Sequence, residues 1–139
     1  MGKVVVKAKL WNFGDELEVI KGLRKPEEIR TVEVEALVDT GATMLSLPED
    51  LVEQLGLLIR RETTVTYADN RKETRKIAAV VGIEILGREA LTDCIVETKG
   101  AKVLVGQIPI EEMDLIVDPK NGTIGPRPES PDTPLIEML

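Results

Sequence analysis

The pattern of apolar and polar residues predicts that most of the chain forms β-strands. Residues 31–38 begin as a strict alternation and end in a continuous apolar run, as expected for a strand that enters a core. A first strand is predicted over residues 4–11, which alternate in their second half. Further strands are predicted from apolar and β-branched runs separated by turn residues, over 63–67, 74–78, 80–86, 90–96, 101–105, 115–118 and 123–124.

One segment has the pattern of a helix. Pro48 suits the first helical position, and Gly56 suits the position just after the last turn. Leu51 and Leu55 fall on the same face of such a helix. Residues 109–113 leave room for one further helical turn. We therefore expect one or two short helices among the strands.

Length and composition predict a single, mainly β domain. A chain of 139 residues is large enough for one core, and aromatic residues make up only 2% of it, so the core must consist of Val, Ile and Leu. The polar residues 14–28 are interpreted as a connection that contains one short strand over 17–20. The domain is expected to cover residues 1–125, and the Pro-rich residues 126–139 are expected to form an extended tail.

Charge and residue usage exclude several classes of function. The net charge of −7 argues against a surface for nucleic acid or an anionic membrane. The chain has no His, which removes Ser-His and Cys-His catalysis and makes a zinc site improbable, and we expect neither a metal nor a cofactor. No apolar run reaches the length of a membrane span, and the N-terminal strand is interrupted by Lys7 and Lys9, unlike a signal peptide. With Cys94 as its single cysteine, the protein is expected to be cytoplasmic, where thiols stay reduced.

The tripeptide Asp39-Thr40-Gly41 follows the predicted strand 31–38 directly. A carboxylate at the end of a buried strand is costly unless something nearby satisfies or uses it. Thr-Gly favours a tight turn, so we expect Asp39 on a loop with its carboxylate held by backbone N–H groups of the turn. The alternative is an ordinary solvated turn residue.

The order of motifs around this tripeptide resembles that of the retropepsin-like (clan AA) aspartic proteases, especially their small single-domain prokaryotic members. The similarity extends from about residue 32 to residue 118. It rests on Leu37-Val38-Asp39-Thr40-Gly41-Ala42, Leu47-Pro48, Leu55-Gly56-Leu57, Tyr67-Ala68-Asp69-Asn70, Leu104-Val105-Gly106 and Leu115-Ile116-Val117-Asp118-Pro119.

The resemblance implies a fold and a role for each matching motif. The fold would be a small closed β-barrel of the acid-protease type. Asp39 would be the catalytic carboxylate in an active-site loop supported by its neighbours: Thr40 would hydrogen-bond between two such motifs, and Gly41 would let the substrate backbone come close. The supporting residues of the loop are Thr40, Gly41 and Ala42, those that would close over a peptide are Ala68, Asp69 and Asn70, and those of the structural glycine motif are Leu104, Val105 and Gly106.

Gln107 departs from the pattern of the retroviral members, which have Arg after that Gly. In those enzymes the Arg forms an ion pair that supports the dimer. We expect this departure to affect either the stability of the dimer or the detail of its interface, and the dimer sheet that retroviral members build from both termini is not assumed here.

Peptide hydrolysis by carboxylates needs two of them, one ionised to activate water and one protonated to polarise the carbonyl. This chain has a single Asp-Thr-Gly, so a homodimer with Asp39 from each subunit at a two-fold axis is expected, acting on a peptide or protein substrate. The alternative is a catalytically silent β-barrel that binds an extended peptide or partner protein by strand addition. A third interpretation, compatible with both, gives the apolar tail 135–139 a role in assembly.

Other candidate residues have simpler interpretations. Cys94 is expected to be a small core residue, since no base accompanies it. Asp114 and Asp118 are expected in turns. For Tyr67, a half-buried sheet position is as good an interpretation as a role in the hairpin that closes over substrate.

Overall fold

The computed structural model describes residues 3–136 and 138, and it confirms a mainly β domain. Three α-helices lie in the described residues, one more than expected: α1 (Phe13–Ile20), α2 (Glu49–Leu55) and α3 (Gln107–Glu112), with a short 3-10 helix at Pro26–Glu28. The strands are β1 (Val4–Asn12), β2 (Thr31–Val38), β3 (Leu45–Pro48), β4 (Leu58–Thr66), β5 (Lys72–Ile85), β6 (Arg88–Glu97), β7 (Leu104–Val105), β8 (Leu115–Asp118) and β9 (Thr123–Pro126).

Six of these strands pair into a ring. The pairing runs from β1 through β2, β7, β3, β6 and β5, and β5 pairs back with β1. The β2–β7 and β3–β6 pairs are parallel, whereas β1–β2, β3–β7, β5–β6 and β1–β5 are antiparallel. β4 pairs with β5 outside the ring, and β8 and β9 form a separate two-stranded sheet.

The core fills the ring and is built from aliphatic side chains, as the composition predicted. Cys94 is fully buried among them, which confirms its interpretation as a core residue. Burial raises the pKa of its thiol to about 12. The largest side chains that are almost completely buried are Leu10, Leu45, Leu47, Leu55, Ile77, Ile83, Ile85, Ile110 and Met113.

The prediction of a short strand over residues 17–20 was wrong, because these residues belong to helix α1. Asn12 caps this helix: its side-chain oxygen accepts a hydrogen bond from the backbone N–H of Asp15 at 3.0 Å. The same side chain donates to the carbonyl of Leu55 at 2.8 Å, so the start of α1 is fixed against the end of α2. The capping signal outweighed Gly14 and the polar character of the segment.

Several boundaries differ from the prediction. The separate strands expected over 74–78 and 80–86 are one long strand, β5, and the strand expected over 101–105 shortens to the two residues of β7. Helix α2 begins at Glu49, one residue after the expected start, and ends at Gly56 in the left-handed conformation. The expected turn over 109–113 is part of α3, which begins directly after Gly106.

The tail after Pro126 has no helix or strand in its described part, and side chains of the domain hold it. The guanidinium of Arg88, only 5% exposed, donates to the carbonyl of Asp114 at 2.8 Å and also bonds the carbonyl of Ser130 in the tail. The carboxylate of Asp114 accepts from the backbone N–H of Leu135 at 2.8 Å and pairs with Arg127. Asp114 does occupy a turn, as expected, but it is also a buried anchor for the tail.

Within residues 3–136 and 138, we find no helix with the length and apolar character that crossing a membrane requires.

Candidate active site

Asp39 lies immediately after β2 on an exposed loop, and backbone groups fix its position. Its N–H donates to the carbonyl of Val105 at 2.9 Å, and its own carbonyl accepts from the N–H of Ala42 at 3.1 Å. The backbone N–H of Gly41 donates to the Asp39 Oδ1 at 2.9 Å. The carboxylate is therefore held by the turn through Oδ1, as the sequence predicted, and Asp39 is exposed.

The segment Leu104–Gly106 lies directly beside this loop. β2 and β7 pair in parallel at this point, so that Val38 is opposite Val105. After Gly106 the chain returns to the loop, because the N–H of Gln107 donates to the carbonyl of Ala42 at 2.8 Å. The structure thus brings together two motifs that are more than sixty residues apart in sequence.

Gly106 makes this approach possible because it has no side chain. A Cβ atom at Gly106 would lie 2.5 Å from the carbonyl oxygen of Met44 and 2.7 Å from its nitrogen. These are backbone atoms, which cannot move aside as a flexible side chain can. The chain therefore passes close to the loop of Asp39 at this glycine, which ties the loop to the start of α3.

The hairpin between β4 and β5 has Ala68, Asp69 and Asn70 at its exposed tip. Tyr67 and Arg71 close the turn, with the N–H of Tyr67 donating to the carbonyl of Arg71 at 2.9 Å. Asn70 adopts a φ of 66°, and the carboxylate of Asp69 accepts from the N–H of Arg71 at 3.0 Å. Among the described residues, no hydrogen bond joins this tip to the Asp39 loop.

Directly beside the tip, Tyr67 contacts the end of β6. Its hydroxyl donates to Glu97 Oε2 at 2.5 Å, and Arg75 Nε donates to Glu97 Oε1 at 3.1 Å. The guanidinium of Arg71 stacks 4.6 Å from the centre of the Tyr67 ring. Burial, and then the hydrogen bond to the Glu97 carboxylate, raise the pKa of Tyr67. Tyr67 is half-buried and directly follows the last residue of β4, and its role in closing over substrate stays a prediction.

The sequence profile of one protein family, described as gag-polyprotein putative aspartyl protease, matches residues 27–111. The match spans more than half of the chain. The chain belongs to this aspartyl protease family. Among curated proteins, none matches it closely enough to be called a relative.

The family match includes the Asp39 loop, the hairpin tip and the segment 104–106. In this aspartyl protease chain Asp39, Thr40 and Gly41 are all exposed. Asp39 does not line any of four surface grooves on the described part of the chain. The described residues also contain no group of three or more His, Cys, Asp or Glu side chains placed to hold a metal ion.

Sequence reasoning missed Glu97 and Arg88. Glu97 reads as one more charged residue at the end of a strand, and its contact with Tyr67 joins positions 30 residues apart. In the sequence, Arg88 lies between the predicted strands 80–86 and 90–96, and in the structure its guanidinium is buried against residues 113–114 and 130. Neither contact has a local sequence signal, since each depends on how distant elements pack.

Proposed function

We propose that this member of the aspartyl protease family is an endopeptidase that hydrolyses peptide bonds as a homodimer, with Asp39 of each subunit forming the catalytic pair. The observation that carries the proposal is the position of Asp39. Its carboxylate is exposed at the end of a ring strand, on a loop fixed by backbone hydrogen bonds to Val105 and within the turn. A rigidly presented, accessible carboxylate with one oxygen unused by the fold suits a group shared across a two-fold axis.

The chemistry requires the second carboxylate. Two carboxylates a few ångströms apart share one proton, because both cannot be ionised cheaply, and aspartic proteases are the standard example of this coupling. The ionised member takes a proton from water as the water attacks the carbonyl carbon, and the protonated member donates to the carbonyl oxygen. The titration then belongs to the pair rather than to either residue.

The neighbours of Asp39 support this role in the proposed dimer. The exposed hydroxyl of Thr40 is available for a hydrogen bond to the partner subunit, and Gly41 leaves space for a substrate backbone. The exposed tip at Ala68–Asn70 closes over the bound peptide. Gln107, which replaces the Arg of retroviral members, donates within its own helix to Glu111 at 2.9 Å, so it offers no positive charge to a partner.

The proposal is tested with Asp39→Asn and a matched control, Asp118→Asn. Asp118 is the last residue of β8, on the separate β8–β9 sheet, and like Asp39 its Oδ1 accepts from the N–H two residues on, at 3.1 Å. Cleavage of a diverse peptide mixture is measured from about pH 3.5 to about pH 7.5, since a carboxylate pair works on the acid side of neutrality. Sedimentation of each variant is measured in parallel.

We expect Asp39→Asn to abolish cleavage and to leave the dimer in place, and we expect Asp118→Asn to cleave as the wild type does. Cleavage that survives in Asp39→Asn would contradict the proposed catalytic role. A wild-type chain that sediments as a monomer while it cleaves peptides would contradict the shared pair.

One observation favours a second function, a binding module without catalysis. Among the strands of the described residues, β4 pairs only with β5 and therefore leaves an open edge at which an extended peptide can add a strand. Such a module would bind peptides with unchanged affinity in Asp39→Asn and would cleave none in the wild type. The same set of assays therefore separates the two functions.

A further inference from the structure

The outer parts of β4 and β5 extend beyond the ring as a two-stranded ribbon, which we define as residues 62–76. β5 pairs with β6 only from Ile77 onward, so within the described part of the chain residues 72–76 of β5 pair with β4 alone. A two-stranded ribbon alone is marginally stable in water and does not hold a fixed orientation. Side-chain contacts with the ring must therefore set the position of its tip.

Among the described residues, the side-chain hydrogen bonds and ion pairs that join the ribbon to the ring all end on one residue, Glu97. Tyr67, at the far end of β4, donates to Glu97 Oε2 at 2.5 Å. Arg75, near the base of β5, donates to Oε1 at 3.1 Å. The Glu97 carboxylate thus contacts the ribbon at two points, Tyr67 beside the tip and Arg75 near the base of β5.

Glu97 is well placed to act as this anchor. It is the last residue of β6 and lies opposite Pro48 of β3, directly before α2. Its side chain is 16% exposed and that of Arg75 is 20% exposed, so both bonds are largely shielded from water. Charged hydrogen bonds in such an environment are stronger than those on an open surface.

A groove of about 350 Å³ separates the ribbon from helix α2. Thr74 and Lys76 line it on the ribbon side, and Val52 and Glu53 line it on the helix side. The groove leaves the ribbon without close packing on this side. The two bonds to Glu97 therefore contribute more to fixing the orientation of the ribbon than they would in a packed sheet.

We propose that Glu97 is a positioning residue that holds the ribbon, and with it the tip 68–70, in the orientation needed to close over a peptide. This inference rests on the proposed function, in which the tip contacts substrate. Glu97 acts through Tyr67 and Arg75 and takes no part in the chemistry at Asp39.

The test compares Glu97→Gln with Glu73→Gln. A Gln side chain has one acceptor oxygen and one NH₂ group, so it cannot accept both bonds that Glu97 accepts. Glu73 is a matched control, because its carboxylate lies 3.7 Å from Arg71 and 3.8 Å from Arg75 but belongs to the ribbon itself. Each substitution removes one negative charge beside Arg75, and only Glu97→Gln removes a bond to the ring.

Amide hydrogen exchange gives the first readout, on the full chain and without substrate. We expect exchange of residues 62–76 to become about tenfold faster in Glu97→Gln, as the loss of a charged hydrogen bond predicts, and to stay near the wild-type rate in Glu73→Gln. Exchange in β1 and β2 should be unchanged in both variants. Equal exchange of the ribbon in Glu97→Gln and the wild type would overturn the proposal.

Peptide cleavage gives the second readout. We expect Glu97→Gln to raise KM about tenfold while kcat stays within about twofold of the wild type, because tip closure contributes to binding and the carboxylate pair is intact. A faster-exchanging ribbon with an unchanged KM would overturn the link to substrate. If the wild-type chain cleaves no peptide, the proposed function fails, and the exchange comparison still decides whether Glu97 holds the ribbon.

Discussion

At Asp39, the backbone rather than another side chain holds the carboxylate. The bond from the Gly41 N–H ends on Oδ1, and the loop itself is fixed by main-chain bonds to Val105 and Gln107. An Asn at this position keeps an oxygen that can accept the same N–H bond. The structural and the chemical roles of this residue can therefore be separated by a single substitution.

We predict that Asp39→Asn leaves the free energy of unfolding within about 0.5 kcal/mol of the wild type, as is usual for an exposed substitution that breaks no buried contact. Urea unfolding of both proteins measures this directly. A large loss of stability would mean that the carboxylate is part of the fold, and any loss of activity in the variant would then have a structural cause.

Tyr67 is the only tyrosine of the chain, so its ionisation can be followed by absorbance without interference from another phenol. Burial raises the pKa of this hydroxyl, and the hydrogen bond to the Glu97 carboxylate raises it further. We predict a pKa above the ordinary value near 10 in the wild type and a lower pKa in Glu97→Gln. Identical titration curves in the two proteins would show that the hydroxyl does not contact Glu97 in solution.

The helices and strands that were predicted correctly are those whose sequence signals are local. The strand ending at Val38, the turn at Asp39 and the helix that stops at Gly56 each have their signal within a few residues. Helix α1 was missed because Asn12, which caps it through Asp15, is itself the last residue of a strand, and the Asn12 amide donates to a carbonyl more than forty positions away. Local pattern cannot reveal such a partner.

Long-range pairing accounts for the rest of the fold and for part of the candidate site. The parallel pairing of β2 with β7 leaves no local signal in the sequence. Only the resemblance to the retropepsin-like proteases therefore suggested that Leu104–Gly106 belongs to the site. Closure of the ring by β1 and β5 depends in the same way on contacts between distant strands. The sequence does not single out Glu97, because its contacts depend on how the ribbon folds beside β6.

Gly106 offers a test of how tightly the two motifs are joined. We predict that Gly106→Ala lowers the free energy of unfolding by about 2 kcal/mol, because the added methyl group would overlap the backbone at Thr43 and Met44. Cleavage should fall as well, since the strain is placed on the Asp39 loop. Urea midpoints and peptide assays measure the two effects.

Gly125→Ala is the matched control for this substitution. Gly125 lies in β9, and a Cβ atom there would meet nothing within 4 Å. We expect its stability and activity to match those of the wild type. Equal behaviour of the two alanine variants would contradict the close approach at Gly106.

For the whole molecule, two buried carboxylates link distant segments and give stability a dependence on pH. A hydrogen bond from Arg30 is the main cause that lowers the pKa of Asp15 to about 2. Bonds with Ser130 and the Leu135 N–H lower the pKa of Asp114, also to about 2. The first joins α1 to the start of β2, and the second joins the tail to the domain.

Both groups have a lower pKa in the folded chain than in the unfolded chain, so the unfolded chain takes up protons first on acidification. Their contribution to stability is therefore complete above about pH 4 and is lost as the pH falls toward about 2. We predict that the urea midpoint falls over this range, and that it falls less in Asp15→Asn, which already lacks one of the two groups. A midpoint that stays constant from about pH 5 to about pH 2 would contradict this assignment.

The central claim is that one active site needs Asp39 from two subunits, and subunit mixing tests it most directly. Wild-type chains are unfolded and refolded together with a threefold excess of Asp39→Asn chains, with Asp118→Asn chains as the control partner. If the site is shared, cleavage per wild-type chain falls to roughly one quarter, the fraction of wild-type chains that find a wild-type partner in random dimers. Cleavage per wild-type chain that is unchanged by the Asp39→Asn excess would contradict the account.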